Sequence, residues 1–374
     1  MANIKNFSKC MALAIRTSLF AVSVLVLLFL GITTSLACVI CIPYPKSTLA
    51  DDLIASHVIA LAREDPNKPY SLAILETLKG TTDDFSTSLF LPSFEQRKLK
   101  QNPEDHIVLI KHQASSKWQW LSYVTPGSLE FILEVLSHER NWRGNRGKMT
   151  RFRYFLKRLN DGNRIIREEA FLEIGRAPYS WIKMAARRVP IESVRNTLAN
   201  WSLIEFHSLY ILMLAQSNDD KDKAYIRKSF ESAARFGFIR NLSAWTTAFV
   251  ETHPIESIEM IEKLYFQSRT RSRKELEEVL KAISVLTTVE HPLLAHRKAA
   301  LRRDVLDAYA SLLDNHPTLA GWVARDLTHW RKKALVARFI EIRRNNKMLD
   351  PASVFAVDLY LRQLSDYAKL STSK

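Results

Sequence analysis

The sequence predicts an α+β protein in which a short leader precedes a small five-stranded β domain and a longer all-α domain of stacked helical pairs. Three observations predict this fold class. Apolar residues recur in short strand-like runs between residues 57 and 124. From Pro126 onward the apolar period becomes helical. Only 9 glycines occur in 374 residues, which argues against a β-rich or doubly wound fold with its many tight turns and phosphate loops.

The first 37 residues have the layout of a secretory signal peptide. Three cations and no acid stand before an apolar stretch at 19–32, and Ser35 and Ala37 supply the small residues of a cleavage site before Cys38. This layout predicts an exported protein, periplasmic or secreted. Two alternatives remain open. The leader could stay as a membrane anchor, although a spanning helix needs roughly 20 apolar residues, or Cys38 could be the lipidated first residue of a lipoprotein.

The chain has 3 cysteines, and Cys10 is lost if the leader is cleaved. We then expect Cys38 and Cys41 to form a disulfide, or Cys38 to carry a lipid, because free thiols are uncommon outside the reducing cytosol. A Cys-x-x-Cys pair is also a redox motif when it lies at a helix N-terminus. Here Pro43 and Pro45 follow at once and oppose a helix at that point, which argues against redox catalysis.

Residues 38–125 are predicted to form the β domain. The segment 65–68 has turn chemistry between the first two apolar runs. Five short strands this close together favour a small barrel or sandwich over an open α/β sheet. The predicted strands are 57–62, 70–78, 86–91, 106–112 and 118–124.

The strings CVICIPYPKSTLADDLIASHVIALA and YSLAILETLKG resemble the netrin and tissue-inhibitor-of-metalloproteinase module, an OB-fold barrel. The likeness lies in the Cys- and Pro-containing start, in residues 55–62 and in residues 76–80. It implies an OB-like barrel and, as an alternative function, inhibition of metalloproteases through the α-amine and carbonyl of a mature N-terminal Cys38. The sequence departs from that family because its cysteines are fewer and are spaced Cys-x-x-Cys. A shared fold does not by itself carry a function.

Residues 126–374 are predicted to be all α. Prolines such as Pro178, Pro190 and Pro351 suit the first turn of a helix and break its interior, so they indicate helix starts. Many helices joined by short loops favour an α-solenoid, with a compact helical bundle as the alternative. The helical segments include 127–138, 149–159, 165–174, 305–313, 319–327 and 334–342.

One of these stretches, RFRYFLKRLNDGNRIIREEAFLEIGRAPYSWIKMAAR, resembles a HEAT-type unit, in which an Asn-Asp-Gly turn joins two helices. The chain is also similar to uncharacterised exported bacterial proteins that join a Cys-starting β module to such repeats. The resemblance implies an architecture of an OB-like module followed by a HEAT-like solenoid, and it implies no activity.

Positive charge is concentrated in the helical part. Residues 38–125 hold 9 Lys and Arg against 10 Asp and Glu, whereas residues 126–374 hold 42 against 29. A basic excess attracts anionic lipid head groups, acidic polysaccharides, acidic proteins or nucleic acid. Nucleic acid is the least available of these partners to an exported protein. Smaller basic clusters would extend a binding groove if they shared one face. They lie at 187–188, 269–274, 302–303 and 331–333.

No catalytic constellation, cofactor motif or metal-ligand spacing is recognisable in the sequence. It lacks the nucleophile-elbow, phosphate-loop and dinucleotide-binding patterns. Its 10 histidines are scattered rather than placed one helical turn apart. The adjacent carboxylates Glu168 and Glu169 lie on a charged helix, where a solvent-exposed face explains them. We therefore expect a protein that is not an enzyme and that uses no cofactor or metal.

The run at 140–158 is the candidate binding site, because it holds cations and interleaved aromatic residues without one acid. Guanidinium groups bind phosphate or sulfate, and aromatic rings stack or bury at an interface. We hypothesise that this run recognises an acidic protein, a polysaccharide or lipid head groups. The alternative is a solvated connector whose aromatic residues pack internally. The candidate residues are Arg140, Trp142, Arg143, Arg146, Lys148, Arg151 and Arg153.

Overall fold

The computed structural model describes residues 47–371 except 83–84, 86–88, 114–116, 289–294 and 349. The described residues all belong to one compact unit. The predicted leader and both Cys38 and Cys41 lie outside the described residues. Within them the protein is α+β and mostly helical, which confirms the predicted class.

An antiparallel sheet of four strands follows a short helix, α1, at Leu49–Ala55. The order of the strands in the sheet is β2-β1-β3-β4, and each neighbouring pair is antiparallel. A second helix, α2, at Ser93–Gln101, connects β2 to β3. The strands are β1 Val58–Asp65, β2 Lys68–Lys79, β3 His106–Lys111 and β4 Gln119–Val124.

The central strand β1 is buried on both faces of the sheet. Successive residues of a strand point to opposite faces, so its neighbouring residues enter different cores. Ile59 of β1 belongs to a core shared with the helices, whereas Val58 belongs to a second core that includes Leu99 of α2. Burial on both faces explains why β1 is a nearly continuous apolar run. The first core continues through Phe131, beyond the boundary predicted between residues 125 and 126.

The described strands form an open sheet of four strands and not the closed barrel of five that the sequence predicts. β2 and β4 are the two edges of the described sheet, so this sheet is open. Of the predicted strand at 86–91, only Leu89–Leu91 are described; they are not part of a strand, although the Leu91 N–H donates to the Tyr70 carbonyl oxygen of β2 at 2.9 Å. Pro92 follows and has no N–H to donate to a ladder of hydrogen bonds. Helix α2 begins at the next residue. Closure of a barrel would need the two edge strands to pair.

The rest of the described chain is helical. Pro178, Pro190 and Pro351 stand at helix starts, as predicted. A π-helical segment at Glu262–Phe266 extends α12. The helices are α3 Pro126–Ser137, α4 Glu139–Trp142, α5 Gly144–Leu156, α6 Arg164–Gly175, α7 Tyr179–Ala186, α8 Ile191–Ala199, α9 His207–Leu214, α10 Asp220–Phe236, α11 Leu242–Thr252, α12 Ser257–Ile261, α13 Arg273–Thr288, α14 Ala295–Asn315, α15 Ala320–Trp330, α16 Val336–Arg344 and α17 Pro351–Ser371.

From α7 onward, alternate helices contact one another in the order α7, α9, α11, α13, α15, α17. Intervening helices pack beside this row; α10 contacts α11, and α14 contacts α13. Each helix of the row therefore touches helices two positions away along the chain. We call this set of six helices the alternating row.

Candidate functional site

Helices α4 and α5 carry most of the predicted basic run. Trp142 ends α4 and is buried, with 5% of its surface exposed. Its ring stacks on His138 with the ring centroids 5.1 Å apart, and it meets the edge of Tyr154 at 5.0 Å. Gly147 allows α5 to start close against α4, since a Cβ there would lie 2.5 Å from the Asn141 carbonyl oxygen. Trp142 is therefore a packing residue that is not displayed to solvent.

Five of the predicted cations are exposed. Arg143 makes an ion pair with Glu139, whose carboxylate also lies 3.0 Å from Lys79 Nζ of β2. The other four make no ion pair with a described residue. The exposed cations are Arg140, Arg143, Arg146, Lys148 and Arg153.

Arg146 and Arg153 of α5 and Lys157, which follows the last residue of α5, form one exposed line that we call the basic row. Spacings of seven and four residues place side chains on the same side of an α-helix. None of the three makes an ion pair within the described part of the chain. Phe152 and Phe155 lie on the other side of α5 and are buried. The basic row is thus presented to solvent by a helix that is fixed from behind.

Arg151 belongs to the same run but faces inward. Its side chain is 14% exposed, and its Nη2 lies 2.6 Å from Glu173 Oε1 and 2.8 Å from Asp51 Oδ1. It also donates to Thr48 Oγ1 at 3.2 Å. Its guanidinium is therefore engaged by the protein's own carboxylates and is not part of the surface that a partner would meet.

These contacts belong to a group of side chains that holds α1 against α6, and we call this group the clamp. Glu169, with 3% of its surface exposed, accepts the backbone N–H of Ala50 at 2.8 Å and that of Leu49 at 3.1 Å. The first N–H groups of a helix have no partner inside it, and a carboxylate there also complements the helix dipole. The clamp consists of Thr48, Asp51, Arg151, Glu169, Glu173 and Arg176.

Two arginines of the clamp share two carboxylates. Arg176 Nη2 lies 2.9 Å from Glu173 Oε1 and donates to Asp51 Oδ1 at 3.0 Å, while Arg151 contacts the same two acids. Thr48 adds a hydrogen bond to Glu173 Oε1 at 2.5 Å. Burial favours a raised pKa for Asp51, but the hydrogen bonds and charges of the two arginines outweigh it and lower the pKa to about 2. Asp51 is therefore ionised in the folded protein at neutral pH.

Glu169 should make the stability of the protein fall as pH rises toward neutrality. Burial of Glu169 raises its pKa, the hydrogen bond from the Ala50 N–H lowers it, and the charge of the Glu173 carboxylate raises it further. The net effect is a pKa of about 7 in place of the ordinary value of 4.5. A carboxyl group of this kind binds its proton more tightly in the folded state. Its contribution to stability is complete below the unfolded pKa and is lost as pH rises through the folded pKa. The loss corresponds to about 3 kcal/mol.

Urea unfolding at about pH 4.5 and about pH 7.5 checks this prediction. The Glu169→Gln variant should lose less stability across the interval than the wild type, because the titrating group is gone. Glu168→Gln is the matched control, since the side chain of Glu168 is 38% exposed. Glu168→Gln should keep the pH dependence of the wild type. The same dependence in Glu169→Gln would contradict the assignment.

The interpretation of Glu168 and Glu169 as equally solvent-facing is wrong for Glu169. Ile166, Glu169, Ala170 and Glu173 follow helical spacing, and all four are buried. In the sequence, the helical spacing of Ile166 and Ala170 with Glu169 and Glu173 indicates that these two acids lie on the packed face of α6.

A cleft of about 420 Å³ lies beside α6, α8 and α9. Arg167 is the one charged residue among the described residues that line it, and its Nε is buried without a hydrogen-bond partner among them. Tyr210, Thr197 and Asn200 add polar groups, and Phe171 adds an apolar wall. No carboxylate or imidazole of the described chain lines the cleft. The cleft has room for a small molecule.

Among the described residues, no group of three or more His, Cys, Asp or Glu side chains is placed to hold a metal ion. In the same residues, no helix is both long and apolar enough to cross a bilayer. Comparisons with family models, curated proteins and solved structures give no match. The likeness to the netrin-type module and to HEAT repeats therefore rests on the residues quoted above. The alternative function, inhibition of metalloproteases through Cys38, concerns a residue outside the described part.

Proposed function

We propose that this chain is a non-enzymatic, exported binding or scaffold protein that recognises an acidic or anionic partner through the basic row on α5. The observation that carries the proposal is the arrangement of Arg146, Arg153 and Lys157, which are exposed on one side of a helix without an ion-pair partner among the described residues. Export to the periplasm or the outside rests on the leader sequence.

The geometry of the basic row suits a partner with several negative charges. Residues seven apart on a helix are separated by about 10 Å along its axis, and residues four apart by about 6 Å. An extended chain of sulfate, phosphate or carboxylate groups can therefore bridge all three cations at once. Arg153 adds the forked donor geometry that pairs with two oxygens of one such group.

The wider architecture in this proposal is an OB-like module followed by a HEAT-like solenoid. Support for the solenoid comes from the alternating row, because repeats of stacked helical pairs contact their neighbours in this regular way. Solenoids bind partners along extended surfaces rather than in catalytic clefts.

Charge reversal of the basic row tests the function. An Arg146→Glu/Arg153→Glu/Lys157→Glu variant should bind heparin roughly tenfold more weakly at about 0.1 M salt, because three attractive charges become repulsive. The difference should shrink as salt screens the charges. It is measured as the salt concentration that elutes each protein from a heparin column.

The control reverses an equal number of exposed cations that lie outside all the basic clusters, at Arg97, Lys228 and Arg344. This control has the same net charge as the first variant, so it should elute at a higher salt concentration if the basic row is the binding surface. Equal elution of the two variants would show that total charge governs retention and would refute the assignment of the row. Arg151 is left unchanged because its loss would disturb the clamp.

A further inference from the structure

The turn between α10 and α11 displays two phenylalanines. Phe236 ends α10 and is 61% exposed, and Phe238 is 58% exposed. Their ring centroids lie 5.6 Å apart. Gly237 between them has a φ of +67°, a left-handed conformation that ends a helix without the steric cost of a Cβ. The turn therefore holds both rings together in solvent.

Exposed cations accompany the two rings. Arg235 and Arg240 flank them in sequence and are exposed. The loop that precedes α13 is tied to this turn, since Arg271 Nη1 donates to the Ala234 carbonyl oxygen at 2.6 Å. That loop leads into the first turn of α13, where Lys274 is exposed. Lys274 therefore belongs to a segment that is hydrogen-bonded to this turn.

The acid that reaches this turn is already engaged. Glu275 Oε1 lies 3.9 Å from the position that a Cβ on Gly237 would occupy. It makes an ion pair with Arg271 at 3.0 Å, and its other oxygen accepts the Ser272 backbone N–H at 3.0 Å. Arg235, Arg240 and Lys274 make no ion pair with the described residues. The surface around the two rings is therefore positively charged.

We propose that this turn docks on the surface of an anionic lipid membrane, with the phenyl rings in the boundary between head groups and acyl chains and the cations beside lipid phosphates. Apolar rings partition into that boundary, and nearby Lys and Arg add attraction to anionic lipids. A protein partner buries roughly 800 Å² on each side of a stable interface. Two side chains on a turn offer far less, which favours lipid. The aromatic–basic turn consists of Arg235, Phe236, Phe238, Arg240 and Lys274.

A tryptophan at the turn reports insertion directly. Phe238→Trp is prepared in the full chain and mixed with vesicles of phosphatidylglycerol and phosphatidylcholine brominated on their acyl chains. Bromine should quench the emission of this variant more than that of the wild type. Phe355→Trp is the matched control, because Phe355 is 69% exposed on α17, and it should show no added quenching. No added quenching at position 238, or equal quenching at both positions, overturns the proposal.

The cations are tested in the same background. Adding Arg235→Gln and Arg240→Gln to Phe238→Trp should reduce the apparent affinity for the anionic vesicles about tenfold at low salt. An unchanged affinity would refute their role.

This proposal is independent of the basic row. Charge reversal of that row should weaken heparin binding and leave quenching at position 238 in place, whereas Phe236→Ser/Phe238→Ser should abolish lipid docking and leave heparin elution unchanged.

Discussion

An Arg151→Met variant is expected to unfold with a free energy about 3 kcal/mol below that of the wild type. Methionine keeps much of the side-chain length but removes the guanidinium that lies 2.6 Å from Glu173 and 2.8 Å from Asp51. The side chain of Glu173 is 4% exposed. Loss of one partner from a buried ion pair costs about 3–5 kcal/mol, and Arg176 retains part of the pairing, which places the expected loss at the lower end. Urea unfolding at neutral pH measures it.

Arg153→Met provides the matched control, since Arg153 is exposed on the same helix and the same substitution there should change stability by less than about 0.5 kcal/mol. A double-mutant cycle of Arg151→Met with Glu173→Gln should give a coupling energy above about 1 kcal/mol. Similar losses for Arg151→Met and Arg153→Met, or a coupling energy near zero, would contradict the clamp as described.

Gly321→Ala is expected to destabilise the protein by about 2–3 kcal/mol. Gly321 lies in α15 where this helix meets α17, and an added Cβ would be 2.5 Å from both Cα and Oγ of Ser353. Part of this obstruction is backbone, which cannot rotate away. Ser353 is also fixed, because its N–H and Oγ donate to Asp350 at 2.7 and 2.8 Å at the start of α17. The two helices would have to separate.

Gly162→Ala is the control for this substitution, because no heavy atom lies within 4 Å of the added Cβ and the backbone is not in the left-handed region. Its stability should stay within about 0.5 kcal/mol of the wild type. Thermal or urea unfolding compares the two variants. A Gly321→Ala protein as stable as the Gly162→Ala protein would mean that α15 and α17 do not approach as closely as described.

The sequence predicted the four described strands to within a few residues, because a strand buried on both faces leaves a nearly continuous apolar run such as that of β1. It also predicted helices near α3, α6 and α15 from their apolar period. The open sheet could not be predicted, since closure depends on which edges pair. No local pattern encodes that pairing, and Pro92 redirects the chain into α2 instead.

At the candidate site, the exposed position of Arg146 and Arg153 agrees with what their acid-free surroundings indicate. The inward position of Arg151 could not be predicted from composition, because its partners are far away in sequence. Thr48 is 103 residues distant from it and Glu173 is 22 residues distant. The sequence of a run that contains no acids gives no sign of an ion pair whose acids come from other elements of the fold. The burial of Glu169 and Glu173 was easier to predict, because both follow the helical spacing of the apolar residues of α6.

The clamp has a consequence for how the molecule comes apart. It joins Asp51 to Arg176 across 125 residues of chain, so we expect α1, α5 and α6 to lose their structure together. The helices of the alternating row contact their sequence neighbours and partners two positions away, so their contacts join segments that are closer along the chain. We therefore expect the amino-terminal part to unfold as one unit, whereas helices of the carboxyl-terminal part can lose their structure in separate steps.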